Sequence, residues 1–269
     1  MSYRIVVRRT LVASLASAVC GALVLLGLST ATAADWGDLS GQFLLEGAAP
    51  KPAKLNVNKD LECCGKYLDE IVDETITAGP NGGLANVFVY LRLPPGKKKI
   101  DIHPDLLKAA SQPVVLDNVH CLFKPHAVAV WSGKQSLLVT NSDPIGHAAK
   151  MDFLNNAPVN VILPAGGKVE QKLQNPESLP LPVSCGVHPW EIAYIKVHDS
   201  PYVAISTLDG KFVIPKLPTG EWEFQFWHES VGFLDAKAGS KKGRFKLTIK
   251  PGANDLGTMK IPVATLKKK

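Results

Sequence analysis

Two short stretches carry residue types that bind metals. Ser184-Cys185-Gly186-Val187-His188-Pro189-Trp190-Glu191 places a cysteine and a histidine three residues apart, ahead of the strand-like run Ile192-Ala193-Tyr194-Ile195-Lys196-Val197. A turn between strands holds its side chains rigidly, so this thiolate and imidazole can grip one soft metal ion. Alternation along the run puts Ile195 and Val197 on one face, Lys196 and His198 on the other. A second histidine ends Asn141-Ser142-Asp143-Pro144-Ile145-Gly146-His147, which follows the strand-like Ser136-Leu137-Leu138-Val139-Thr140. Two histidines, one cysteine and a weak axial ligand form the donor set that copper prefers. Each residue also has an ordinary reading. Cys185 could be half of a disulfide, and His147 and His188 could be hydrogen-bonded side chains at strand ends. Either histidine without the other is uninformative.

Asn, five residues and His, then a distant Cys-x-x-His at a strand end, resembles the ligand pattern of cupredoxins, the plastocyanin-like blue-copper fold. The wording of the chain resembles more closely a bacterial exported group described as methylamine utilization protein-like, through NGGLANVFVYL, CLFKPH, NSDPIGH, CGVHPW and PYVAISTLDGKFVIPKLPTGEWEFQFWHE. The resemblance implies one copper ion on His147, Cys185 and His188. It departs at two positions. The group reads His-Pro-Trp-Met, with methionine as the axial ligand, where this chain has Glu191; it tends to have Asn after the first histidine, where this chain has Ala148. A carboxylate is harder than a thioether and favours Cu(II) over Cu(I), so a lowered potential or a site that cycles poorly is expected. Glu191 therefore has three readings: an axial ligand, a solvent-facing residue beside a trigonal site, or a mark of lost copper. Trp190 is expected to shield the site or to pack as ordinary core.

The same group carries a Cys-Gly that matches Cys64-Gly65, so the resemblance implies a Cys64–Cys121 disulfide anchoring the N-terminal segment to the cupredoxin sheet. Cys63 looks extra, although it could replace Cys64; adjacent cysteines rarely pair with each other. If Cys185 binds copper, Cys63, Cys64 and Cys121 can make only one bridge. His126 could lie near the metal, near His228, or serve as an ordinary hydrogen-bonded histidine of a sheet.

Arg4, Arg8 and Arg9 precede an apolar run from Leu11 to Leu28 and the A-x-A signal Ala31-Thr32-Ala33. This reads as a secretory signal peptide over 1–34, the competing reading being an uncleaved anchor. Export to the periplasm or beyond is expected, with no integral membrane domain after cleavage. Cleavage removes three of the 30 basic residues and none of the 24 acidic ones, taking the formal charge from +6 to +3. Short lysine runs at so mild a charge read as solvated loops, and nucleic acid is not an expected partner. No Cys-x-x-Cys-His occurs, so covalent haem is not indicated, and isolated Ser, His and Asp residues carry no catalytic argument. The expected function is not enzymatic.

The elements that must position these residues are short and strand-like. Candidates run through 36–45, 71–76, 84–93, 114–116, 127–131, 159–163, 169–173, 202–207, 212–214, 222–227, 245–249 and 259–263, punctuated by Gly79-Pro80-Asn81-Gly82-Gly83, Asp209-Gly210 and Pro218-Thr219-Gly220. The fold class is all-β: a cupredoxin Greek-key sandwich over 111–200, with an N-terminal β segment over 35–110 and a C-terminal sandwich over 201–269. LDGKFVIPKLPTG, together with GDLSGQFLLEGAAP and LANVFVYL, resembles the carboxypeptidase-regulatory-like, transthyretin-like β-sandwich. That likeness implies that the first and last parts form one sandwich with the cupredoxin inserted; three consecutive segments are the alternative. The function expected is copper binding and electron transfer with a redox partner protein in the cell envelope. A metal-free binding or scaffold module and a copper carrier are the rivals.

Overall fold

Strand-forming residues interrupted every few positions by glycine, proline or asparagine leave room for only brief helices. Among the residues described in the computed structural model, which are Met1, 36–93 and 99–266, the α-helices are Leu61–Cys64 and Pro104–Ala109. The expected signal peptide over 1–34 lies outside the described residues. No described helix is long and apolar enough to cross a membrane.

The remaining chain builds two cores. In the first, the strand Trp36–Glu46 alternates buried and outward residues and lies between Lys211–Pro218, antiparallel, and Gly252–Pro262, parallel. The facing sheet runs Val203–Ile205, Phe88–Arg92, Gly220–His228, with Arg244–Ile249 and Gly232–Phe233 also paired to Gly220–His228. Leu39, Phe43, Val89, Leu91, Phe224, Phe226 and Met259 fill the space between these sheets. Phe88–Arg92 is in register with Glu223–Trp227, so segments more than 130 residues apart in sequence share one core. Residues 114–197, which lie between them, make the second.

That second core, with Leu116, Phe123, Val139, Met151, Ile195 and Val197 among its members, lies between two further sheets. One orders Leu122–Lys124, Val114–Val119, Ser136–Asn141 and Lys168–Lys172; the other orders Ala127–Trp131, Ile192–His198, Leu181–Ser184, His147–Met151 and Val159–Leu163. Ser136–Asn141 and His147–Met151 belong to opposite sheets, so residues 142–146 cross from one layer to the other. Residues 185–191 join two neighbouring antiparallel strands of one sheet. Phe88, Tyr90, Ala127, Tyr194 and Trp227 pack together between the two sandwiches.

Two strand expectations are corrected. Residues 71–76 form no strand and make only the isolated bridge Lys54–Val72. Their polar side chains take the backbone elsewhere: Asp73 accepts from the Thr75 N–H at 2.9 Å, and Glu74 faces Lys124 and His126. The 84–93 run narrows to Phe88–Arg92 because Asn86 adopts a φ of 61°, which ends a ladder.

Candidate metal centre

Asn141 sets the first loop. Its side-chain amide nitrogen donates to the carbonyls of Ile145, Leu163 and Pro164 at 2.7, 3.0 and 3.0 Å, and its oxygen accepts from the Asp143 N–H at 3.1 Å. One buried side chain thus folds residues 141–147 and delivers His147 at the start of its strand; this is the physical content of the Asn-x5-His spacing. The second loop is closed by Cys185 N–H to Glu191 O, 3.2 Å, and Glu191 N–H to His188 O, 3.0 Å. The Cys185 sulfur accepts the N–H groups of Ala148 and His188, each at 3.3 Å.

The two loops bring together His147, Cys185, His188 and Glu191, whose ligand atoms all lie within 4.8 Å of one another. The three side chains other than Cys185 are 0% exposed, and Cys185 is 4%. Nδ1 of His147 and Nδ1 of His188 are 3.0 Å apart. Glu191 Oε1 lies 2.9 and 3.1 Å from those same nitrogens, yet makes no well-directed hydrogen bond. Asn118 donates to the other carboxylate oxygen, Oε2, at 3.0 Å, and Oε2 also lies at hydrogen-bond distance, 3.1 Å, from His147 Nδ1, so the carboxylate is fixed against the imidazoles. Complete burial excludes the solvent-facing reading of Glu191.

A shell of carboxylates stands behind the imidazoles. His188 Nε2 hydrogen-bonds Asp60 Oδ2 at 2.9 Å. His147 Nε2 is 3.0 Å from Asp143 Oδ2, a contact at hydrogen-bond distance but bent in angle. Asp143 is fixed in turn by the N–H groups of His120 and Cys121, both 2.8 Å away. A carboxylate at Nε2 favours a ring proton there and leaves Nδ1, which faces the cluster, as the atom that a metal would take on displacing its proton. Trp190 donates to the Cys121 carbonyl at 3.1 Å and covers the cluster with its ring centroid 5.0 Å from that of His188.

The electrostatics draw positive charge. Burial pushes both imidazoles down, but Asp143, Cys185 and Glu191 raise His147 to about 11, and Cys185, Glu191 and Asp60 raise His188 to about 10. Burial pushes the Cys185 thiol up, and hydrogen bonds from the two histidines overcome this to bring it down to about 7. Glu191 is likewise pushed up by burial and held below the ordinary carboxylate value by the same histidines. Two imidazole nitrogens, a near-neutral thiol and an orphaned carboxylate oxygen, converging in a water-poor pocket, suit a borderline-soft ion such as copper.

Cys64 and Cys121 are joined in a disulfide, and Cys63 is a free, buried thiol. The bridge ties the segment carrying Asp60 to the loop carrying Cys121. Asp60 was not legible in the sequence as a site residue; Asp143 was visible only inside the NSDPIGH motif. His126 is not in the cluster. It sits between Glu229, 2.5 Å from Nε2, and Glu74, 3.5 Å from Nδ1. His228 Nδ1 is 2.8 Å from Ser230 Oγ, and His120 stacks on Tyr67.

No protein-family model matches the chain, and no curated protein matches it. Among solved structures it is similar to amicyanin from Paracoccus versutus, with 12% identity and a TM-score of 0.28 over 41% of this chain and 97% of that one. It is similar to a purple cupredoxin from Nitrosopumilus maritimus at 16% identity and a TM-score of 0.27, over 32% of this chain and 99% of that one. A copper-containing nitrite reductase from Thermus scotoductus shows 19% identity and a TM-score of 0.29; the match covers 39% of this chain and only 25% of the reductase. Likeness of this degree assigns no ligand by itself.

Proposed function

We propose that this protein binds one copper ion through His147, Cys185, His188 and Glu191 and exchanges single electrons with another redox protein. The observation that carries this reading is the pair of inward Nδ1 atoms 3.0 Å apart, with the orphaned Glu191 Oε1 beside both. Copper, when bound, supplies one-electron redox chemistry. The chain's own residues hold the donors still: Asn141 and Asn118 lock the loops, Asp143 and Asp60 orient the rings, and Trp190 with the Cys64–Cys121 bridge keeps water out. A rigid donor set leaves little to rearrange when charge changes. Glu191 biases the site toward the oxidised ion. The disulfide fits an oxidising compartment outside the cytoplasm. The reading is of a carrier of electrons, not an enzyme.

Titration of the metal-free protein with Cu(II), followed by visible absorption and bound-metal analysis, tests it. One ion per chain and a thiolate-to-copper band are expected, and Cys185→Ser should remove the band. Wild-type protein that shows neither band nor bound copper refutes the assignment.

A further inference from the structure

Lys196 belongs to the strand that begins at the metal loop, but on its opposite face, turned toward the first sandwich. It is 3% exposed. Its ammonium donates to the Glu177 carbonyl and lies 4.9 Å from the centroid of the Tyr90 ring, and among the described residues no carboxylate pairs with it. An ammonium has three donors, and the protein fills one. The side chain lines a cavity of about 330 Å³ where the two sandwiches meet, together with Tyr90, Arg92, Asn155, Ser178 and His198.

Arg92 comes to this cavity from the other sandwich. Its Nε donates to Glu223 at 2.9 Å and its Nη1 to Gln225 at 2.8 Å, which leaves the Nη2 donors with no protein partner among the described residues. Two acids also line the space. The Glu177 carboxylate is already occupied by the N–H groups of Leu154 and Asn155 and the side-chain amide of Asn156. Asp199 lies 3.3 Å from His198 Nδ1 and beyond ion-pair reach of Lys196. The His198 ring nitrogens face the carbonyls of Leu91 and Ser200 at 2.9 and 3.0 Å, but burial outweighs them and holds its pKa below the ordinary histidine value. Burial lowers Lys196 to about 8, against the pull of Asp199, which leaves it mostly charged at neutral pH. A buried cation without a counter-ion is unfavourable unless something anionic completes it.

We propose that this cavity binds a small oxyanion, a carboxylate or an inorganic anion, held between the Lys196 ammonium and the free donors of Arg92. The volume is at the low end for ligand pockets and suits an acid of a few carbons or one phosphate. Because the two cations come from different sandwiches, the bound anion would brace them against each other. The site does not depend on the metal centre.

The full, metal-free protein should be titrated at constant ionic strength with sodium acetate, succinate and phosphate in turn, by calorimetry and by thermal unfolding. Saturable binding at one site with a rising Tm is expected in at least one arm, and the arm that saturates distinguishes organic from inorganic ligands. Lys196→Met and Arg92→Gln should each weaken it by about tenfold or more, whereas Lys54→Met, on the exposed surface, should not. Absence of saturation in all three arms up to tens of millimolar overturns the proposal. So does wild-type binding in Lys196→Met or, should that variant not fold, in Arg92→Gln.

Discussion

Substituting His126 by glutamine removes a charge that three parts of the chain share. Glu74 comes from the segment packed on the second sandwich, His126 from that sandwich, and Glu229 from the first. Lys124 pairs with Glu74 at 2.9 Å, and the Tyr194 ring packs 6.0 Å from the imidazole. Burial opposes the charged imidazole, but the two glutamates raise it to about 9 from an ordinary 6.5. A rise of that size corresponds to about 3 kcal/mol of differential stabilisation of the charged form. Because the folded value is the higher one, this stabilisation is complete below about pH 6.5 and is lost as pH rises through about 9. Urea unfolding of wild type and His126→Gln at pH 6 and pH 10 isolates the effect, since other titrations cancel in the difference. The stability gap should be large at pH 6 and about 3 kcal/mol smaller at pH 10. An equal gap at both pH values, or one that widens with pH, refutes the argument that the two carboxylates hold His126 charged.

Glu191→Met should raise the reduction potential of the copper-loaded protein and weaken its pH dependence, because the carboxylate protonates in competition with the metal; voltammetry that shows no change removes Glu191 from the ligand set. Asp60→Asn should weaken metal binding by about ten- to a hundredfold, measured by competition with a chelator, through loss of the carboxylate that orients His188. Replacing both Cys64 and Cys121 by alanine opens a link across 57 residues and should destabilise by about 4 kcal/mol in the chain-entropy model, read by denaturant unfolding without reductant. Asn141→Ala strands three carbonyls and should destabilise by about 2 kcal/mol, with lowered metal affinity as the second readout.

His147, Cys185 and His188 could be picked out from the sequence because each sits in a short loop whose spacing is local. Asn141 and its histidine are six positions apart, and the Cys-x-x-His turn closes on itself. Asp60 could not be found that way. It is 128 residues from the imidazole it orients, and the disulfide brings the two together. Alternation correctly separated Lys196 and His198 from Ile195 and Val197, but period two says only that the faces differ. It does not say that the polar face lies against a second sandwich rather than water. The 71–76 run failed as a strand for a related reason: the Asp73 side chain takes the Thr75 N–H and Glu74 meets Lys124 and His126, contacts that no ladder offered.

The parallel pairing of Trp36–Glu46 with Gly252–Pro262 has a consequence for the order of events during synthesis. Residues 114–197 are contiguous and can collapse as soon as they are made, bringing the four candidate metal donors together in a single step. The first sandwich cannot do so. Its earliest strand waits for one partner made more than 160 residues later and another made more than 200 residues later. Until then neither Trp36–Glu46 nor Phe88–Arg92 has a neighbouring strand to pair with, and such unpaired apolar strands are the part of a growing chain most prone to aggregate. The second sandwich can therefore close before the first, and any helper that shields the nascent chain has most to gain by covering the strands 36–46 and 88–92.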